Sequence, residues 1–396
     1  MAASPTGDAP AADRRHAWVV LVACTALSLG FNAYTIAPAS VLPRMAADFG
    51  IGEATAGLSI SAVYLSWAVM GIPAGLLLDR YDNRRLVYVG VGIYVVSSVA
   101  GAGLQWYPAF LLARVGGGAS AVFLWTANAN IVRQAFPASI RAFGTSLFTA
   151  SAPAGFALGQ YAGPLVAARY GWRAVFFAYP VVTLAGAGLF ALVVRRPVRN
   201  ESAVSLAQFG ETLKRPRVLA VSGASFCAYS VFLFLNSWMP AYATGRLGVD
   251  LAAAGAATAL VPLSGVVARP GGGWLSDRLG GRRKAVIVAG FVLSTPVLVA
   301  LTRVTDATAF ATLLLGAGFF AQLGIGVFYV YVSELADAGT AGTSLAVLTT
   351  LSVLGSLVTP ALTGWLVATV SWTAAFAYAV VLGVVGVALV AWVRED

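Results

Sequence analysis

Apolar stretches of about 20 residues recur along the whole chain, and short polar or charged segments separate them. A stretch of that length crosses a bilayer core of about 30 Å when it folds as an α-helix. The pattern therefore predicts an all-α membrane protein with twelve transmembrane helices, preceded by a polar cytoplasmic tail over residues 1–16. The predicted spans lie at residues 17–41, 54–78, 86–104, 109–132, 143–166, 173–194, 217–240, 252–276, 285–303, 308–333, 343–367 and 372–393.

The composition and the distribution of charge support this topology. The chain is 59% hydrophobic and 10% charged, with a mean hydropathy of +0.83, whereas soluble domains are about a quarter charged. Most of the 25 Lys and Arg residues fall in the predicted cytoplasmic segments, and only Arg114 and Arg269 lie well inside spans. This bias follows the positive-inside rule, so we expect a multi-pass protein of the plasma (cytoplasmic) membrane with both termini in the cytoplasm. The net charge of +10 then reflects topology rather than nucleic-acid binding.

The sequence contains no pattern for a metal, a cofactor or ATP hydrolysis. Cys24 and Cys227 lie within apolar spans, and His16 is the only histidine. No phosphate-binding G-x-x-x-x-G-K-[ST] motif occurs. We therefore expect no metal, no cofactor and no enzymatic activity.

The chain repeats itself at an offset of 198 residues. The segment at 50–57 matches the segment at 248–255, and the segment at 75–80 matches that at 273–278. Same-sense repeats of six spans predict two pseudo-symmetric six-helix bundles around a central cavity. The predicted domains are residues 17–194 and 217–396, joined by a cytoplasmic linker over residues 195–216.

The repeated loops between the second and third spans of each half resemble those of the major facilitator superfamily, and the resemblance covers essentially the full length of the chain. The family pattern reads G-x-x-x-D-R-x-G-R-R/K, and in the first half Asp82 and Asn83 replace the second Gly and the following Arg. The resemblance implies a transporter in which these residues form a conformational latch, although a solvated basic loop would also explain the arginines. The matching residues are Gly75, Asp79, Arg80 and Arg84 in the first half and Gly273, Asp277, Arg278 and Arg282 in the second.

The fifth span carries glycines at four-residue spacing. Gly155, Gly159 and Gly163, followed by Pro164, lie on one helix face. Small residues at this spacing allow close helix packing. The spacing is also similar to the antiporter motif of drug:proton exchangers, which implies a drug:proton antiporter as an alternative function.

Arg269 is the strongest candidate for substrate binding. A guanidinium stays ionised in proteins, and a charge deep in the membrane is costly, so it marks a functional site by default. The surrounding sequence resembles the eighth span of nitrate/nitrite porters, and its Ala-Arg-Pro core resembles monocarboxylate and oxalate:formate exchangers, in which the matching Arg binds the anion. Two departures stand out: Gly71 occupies the symmetry-related position of a second Arg, and Gly265 replaces an Asp that monocarboxylate transporters carry.

Other polar residues within spans are weaker candidates, because each also suits a helix–helix hydrogen bond. Arg114, in the fourth span, either faces the cavity or bonds backbone carbonyls. The remaining substrate-binding candidates are Asn32, Tyr34, Tyr64, Asn128, Tyr229, Asn236 and Gln322.

Together these features predict a secondary active transporter that moves a small anion, an organic carboxylate or an inorganic oxyanion, by alternating access. No Asp or Glu lies in the core of a predicted span, which disfavours the drug:proton alternative. An empty site would leave Arg269 unneutralised in the membrane, which favours exchange of one anion for another, or uptake with a proton arriving on the substrate itself. A non-transporting sensor or scaffold of the same fold is the alternative from another class. We expect a monomer whose partners are the anionic substrate and the lipid bilayer.

Overall fold

The structure is a computed structural model that describes residues 11–137, 140–199, 212–336 and 340–394. Within these residues, the side chains of residues 11–14, Ile72, Asp79 and Ala142 lie outside the description. All regular structure in the described part is helical. The helices are α1 (Ala11–Phe49), α2 (Glu53–Arg80), α3 (Asn83–Gly103), α4 (Tyr107–Ala135), α5 (Arg141–Thr149), α6 (Ser151–Tyr170), α7 (Val175–Val193), α8 (Pro216–Arg246), α9 (Leu251–Arg278), α10 (Arg283–Leu301), α11 (Ala307–Leu323), α12 (Ile325–Leu335), α13 (Ala341–Thr369) and α14 (Trp372–Trp392), with a 3-10 turn at Trp172–Ala174 before α7.

Eleven helical segments of the described chain are long and apolar enough to cross a membrane, and they coincide with eleven of the predicted spans. The fifth predicted span is divided into α5 and α6 at Ala150. Pro153 lacks the N–H that would bond the carbonyl of Thr149, so the helical ladder is interrupted there. The first span differs at its start, because α1 begins at Ala11 and residues 11–16 of the predicted tail are helical.

The turns that end corresponding helices of the two halves have the same backbone conformation. Gly50 follows α1 with φ +63°, and Gly248 follows α8 with φ +64°. A Cβ added at either glycine would meet no atom within 4 Å. Positive φ alone therefore accounts for glycine at both sites. The match at an offset of 198 residues is thus a repeat of structure as well as of sequence.

Helices from the two sequence halves meet mainly along three pairs. These pairs are α2 with α13, α6 with α9, and α1 with α8. The closest approaches involve Gly57 and Gly255: a Cβ at Gly57 would lie 2.5 Å from the carbonyl oxygen of Pro360, and one at Gly255 would lie 2.5 Å from that of Gln160. We call this side of the molecule the closed end.

The same faces of α2 and α9 are uncovered at the other end of these helices. Gly75 follows Gly57 by 18 residues, and Gly273 follows Gly255 by 18, which is five helical turns or about 27 Å. Each pair therefore lies on one face of its helix. A Cβ at Gly75 or Gly273 would meet no atom within 4 Å. We call the space along these helix faces the cleft; it is covered at the closed end and uncovered at the other end, which we call the open end.

Candidate functional site

Arg269 lies on the side of α9 that faces the cleft. It precedes Gly273 by four residues, and residues four apart share a helix face. Its side chain is half-buried, and its Cζ lies 5.4 Å from the ring centroid of Phe232 on α8, within the range of a cation–π contact. Phe232 in turn stacks on Phe156 of α6, with ring centroids 5.8 Å apart. This aromatic pair joins α8 to α6 next to Arg269.

The hydrogen-bond partner of Arg269 is an amide rather than a carboxylate. Its Nε and Nη2 donate to Oε1 of Gln322 on α11, at 3.2 and 3.0 Å. No carboxylate pairs with Arg269 among the residues that the structure describes. The guanidinium therefore keeps its full positive charge, and its Nη1 has no hydrogen-bond partner in the described chain.

Two tyrosines of the second half lie near this position, and a third lies on α2 of the first half. The hydroxyls of Tyr229 on α8 and Tyr329 on α12 are 3.2 Å apart, and Tyr329 lies within electrostatic range of Arg269. Tyr64 of α2 follows Gly57 by seven residues, on the same cleft-facing side, and lies within electrostatic range of Tyr229. The cleft therefore offers hydroxyl groups from both halves next to one uncompensated cation.

Arg114 is placed differently. It is 1% exposed, and it donates to the carbonyls of Ser59, Tyr34 and Thr35 at 3.0, 2.9 and 2.7 Å. These bonds join α4 to α2 and α1. Of the two roles considered from the sequence, facing the cavity or bonding backbone carbonyls, Arg114 has the second in this conformation. The carbonyl of Tyr34 is free to accept because Pro38, four residues later, has no N–H.

Prolines supply acceptors in the same way at two further helix contacts. Pro180 frees the carbonyl of Phe176, which accepts from Ser98 at 2.6 Å. Pro240 frees the carbonyl of Asn236, which accepts from the side chain of Gln160 across the two halves. In lipid, a freed carbonyl needs such a donor. Each proline in a membrane helix therefore predicts that the carbonyl four residues before it accepts a hydrogen bond from a polar side chain of a neighbouring helix.

The remaining asparagine and tyrosine candidates of the sequence analysis divide into two groups. Asn32 and Asn236 donate within their own helices, to Ser28 and Phe232. The amide of Asn128 and the hydroxyl of Tyr34 are buried without a hydrogen-bond partner in the described chain. Neither group contacts Arg269 in this conformation.

The glycines of the fifth span pack α6 against α1. A Cβ at Gly155 would lie 2.5 Å from Cβ of Asn32, and one at Gly159 would lie 2.7 Å from the carbonyl oxygen of Ala33. A Cβ at Gly163 would lie 2.2 Å from Oγ of Ser40. Pro164, together with Gln160, approaches Gly255 at the closed end. These contacts are those of a close-packing motif.

The loop of the second half contains an ion-pair network, but its centre is Arg283 and not the predicted Arg282. Arg283 pairs with Asp277 of α9 and with Glu334 of α12, the latter at 3.1 Å. It also donates to Oγ of Ser276 at 3.1 Å. Arg283 is the first residue of α10, and this helix start determines which arginine of the loop makes the ion pairs. Arg278 instead lies 4.4 Å over the ring of Trp274.

The corresponding loop of the first half is built from different contacts. The side chain of Asp79 lies outside the description. Arg84 pairs with Asp82 at 3.6 Å and donates to the carbonyl of Arg195. Asp82 also caps α3 and accepts from the backbone N–H of Val198 at 3.1 Å. The departure at Asp82 from the repeated motif therefore ties this loop to the linker.

Comparisons with known proteins agree with this architecture. A family model described as Major Facilitator Superfamily matches residues 22–357 and 247–396. The "Probable anion transporter 4, chloroplastic" of Oryza sativa subsp. japonica is 27% identical over 93% of this chain and 67% of its own length. The "Hexuronate transporter" of Bacillus subtilis (strain 168) is 23% identical over 82% of each chain.

A solved structure has the same fold. It is a bacterial homolog of the human lysosomal transporter Spinster, in an inward-facing and unoccupied conformation, with a TM-score of 0.77 and 19% identity. The superposition covers 97% of this chain and 95% of that one. Because the family model matches nearly the whole chain as well, this protein belongs to the Major Facilitator Superfamily.

Proposed function

We propose that this protein is a secondary transporter that moves a small anion, an organic carboxylate or an inorganic oxyanion, by alternating access. The observation that carries the proposal is the uncompensated guanidinium of Arg269 in the cleft. A cation held within a membrane protein is costly unless a counter-charge joins it. A bound anion supplies that charge, and the planar guanidinium pairs well with carboxylate and oxyanion geometry. The names of the two curated relatives, an anion transporter and a hexuronate transporter, support the same class.

The cleft supports an alternating-access mechanism. In this proposal residues 17–194 and 217–396 form two six-helix bundles, and they rock about the site as largely rigid bodies. The conformation described here is sealed at Gly57 and Gly255. The alternative conformation would close over Gly75 and Gly273, whose helix faces are uncovered here. By the positive-inside rule the open end faces the cytoplasm.

The absence of a titratable partner for Arg269 among the described residues favours exchange. An empty site leaves Arg269 charged, and closing the cleft around an uncompensated cation is unfavourable by several kcal/mol. A bound anion cancels that charge, so the loaded carrier reorients faster than the empty one. A carrier with this asymmetry exchanges one anion for another, or takes up an anion together with a proton bound to the substrate itself.

Thermal unfolding of the purified protein tests the binding site. A ligand that binds only the native state stabilises it by about 2.7 kcal/mol at a hundred times its Kd. Glucuronate, lactate, nitrate and phosphate are the probes, and tetraphenylphosphonium tests the drug:proton alternative. Arg269→Ala should abolish stabilisation by the active anion, and Arg269→Lys should weaken it by losing the bidentate fork. Arg303→Ala, which removes an arginine in the loop after α10, is the matched control and should keep the response.

Counterflow in proteoliposomes tests the transport mode. Vesicles preloaded with the unlabelled active anion should take up labelled anion much faster than empty vesicles. Stabilisation by the lipophilic cation alone would overturn the anion proposal, as would full anion response in Arg269→Ala. Equal uptake with and without internal anion would overturn exchange while leaving the binding site intact.

A further inference from the structure

Gln322 is held at both ends of its side chain. It is fully buried on α11, and its Nε2 donates to the carbonyls of Val261 and Gly318 at 2.7 and 3.1 Å. Its Oε1 accepts from Nε and Nη2 of Arg269. Carbonyls accept and guanidinium groups only donate, so the two environments determine which way the amide points.

Two glycines create the space for this amide. A Cβ at Gly265 of α9 would lie 2.0 Å from Oε1 of Gln322. A Cβ at Gly318 of α11 would lie 2.7 Å from Cα of Val261. Both glycines therefore allow α9 and α11 to approach closely around Gln322. Glycine at position 265 is required by the presence of the glutamine.

The bonds to Gln322 leave a defined edge of Arg269 unused. A guanidinium has five N–H donors, and Gln322 engages Nε and Nη2. The remaining N–H groups are on Nη1 and Nη2, at the end of the fork. That end presents two parallel donors to a planar carboxylate. Because the acceptor on the other edge is a neutral amide, it orients the guanidinium without cancelling its charge.

We propose that Gln322 is a positioning residue that presents the Nη1–Nη2 edge of Arg269 to a substrate carboxylate and keeps the unoccupied site positively charged. This inference rests on the proposed function and adds the reason for its charge balance. Because the buried acceptor is neutral and no described carboxylate pairs with Arg269, the substrate supplies the counter-ion, which couples reorientation of the cleft to anion binding. A glutamate at the same position would act as a permanent internal counter-ion.

The decisive variant is Gln322→Glu, which keeps the size of the side chain, adds one negative charge and removes the donor to the carbonyls of Val261 and Gly318. Its apparent affinity for the carboxylate, measured from thermal stabilisation, should fall by more than about tenfold, because the introduced carboxylate would form an internal ion pair with Arg269. Its empty form should also reorient faster than the empty parent. The reporter for reorientation is Thr363→Cys in a background with Cys24→Ala and Cys227→Ala. Thr363 is fully buried at the closed end, so its labelling rate measures how often that end opens.

Two further variants separate charge from packing. Gln322→Leu removes the acceptor without adding charge, and Gly265→Ala displaces the amide by steric contact. Both should weaken the apparent affinity for the carboxylate, and in both the labelling of the empty carrier should stay as slow as in the parent. Only Gln322→Glu should give labelling that is fast and independent of the anion.

The outcomes distinguish this inference from the proposed function. If the parent protein responds to no anion, or Arg269→Ala responds fully, the proposed function fails. If the parent responds, Arg269→Ala does not, and Gln322→Glu binds and reorients like the parent, the role of Gln322 is wrong. Should Gln322→Glu fail to fold, unchanged anion affinity in both Gln322→Leu and Gly265→Ala would overturn the inference equally.

Discussion

Replacing Gly57 by alanine should drive the protein out of the conformation described here. The added Cβ would lie 2.5 Å from the carbonyl oxygen of Pro360 and 3.2 Å from the ring of Trp238. The oxygen is backbone, and it also accepts a hydrogen bond of 3.0 Å from Nε1 of Trp238. This oxygen cannot move away without opening the contact between α2 and α13.

The size of the effect follows from the cost of overpacking. Inserting a methyl group into a well-packed contact costs about 1–3 kcal/mol. The contact of Gly57 with Pro360 belongs to the closed end, so the cost falls on the conformation that seals this end. An energy of that size changes the ratio of two conformations by about 5- to 150-fold. The fraction of molecules in which the contact between Gly57 and Pro360 has separated should rise accordingly.

Gly75→Ala is the matched control on the same helix face. Its Cβ would meet no atom within 4 Å in this conformation, so the same substitution five turns away adds no contact at the closed end. Cysteine labelling of Thr363→Cys reports both variants. Gly57→Ala should accelerate labelling, and Gly75→Ala should leave it unchanged or slow it. Equal labelling of the parent and Gly57→Ala, or acceleration by Gly75→Ala alone, would refute the two-ended cleft.

Three further predictions concern the polar contacts of the helices. Arg283→Gln should shift the labelling rate by about two- to fivefold, the range for exposed ion pairs of up to about 1 kcal/mol, whereas Arg282→Gln should have no measurable effect. Arg114→Lys should lower the free energy of unfolding by at least about 2 kcal/mol, because the fork that reaches three carbonyls is lost; the anion response of the folded fraction should persist. Pro240→Ala restores an N–H that competes for the carbonyl of Asn236, so labelling at the closed end should accelerate by about two- to tenfold, and an unchanged rate would contradict the importance of that acceptor.

The positions of the helices could largely be predicted from hydropathy, since lipid solvation leaves few alternatives for an apolar stretch of this length. The match of Gly50 with Gly248 also located equivalent turns, because positive φ restricts the residue type. Hydropathy did not locate the division of the fifth span at Ala150. Pro153 was the available signal, although a membrane proline kinks some helices and breaks others.

The partners of the arginines were harder to predict than the helices. The sequence identified Arg114 and Arg269 as intramembrane cations, but their roles depend on acceptors that come from other helices. For Arg114, the proline four residues after Tyr34 was a usable signal. For Arg269, the acceptor Gln322 is 53 residues away in sequence, and no local pattern connects them. The motif pointed to Arg282, whereas Arg283, the first residue of α10, makes the ion pairs of this loop. Helix ends are the least reliable part of a sequence-based prediction.

The two halves of the chain share a backbone plan and differ in electrostatics. At the offset of the repeat, Gly71 of α2 stands where Arg269 stands on α9, and a Cβ at Gly71 would meet no atom within 4 Å. Arg114, the intramembrane cation of the first half, donates hydrogen bonds to three backbone carbonyls. Among the described residues, the intramembrane charge that the proposed function offers to a substrate is therefore Arg269 of the second half, and the first half would contribute hydroxyl groups. In that proposal the carrier needs one counter-ion for each passage, which is the condition under which anion binding and reorientation become coupled.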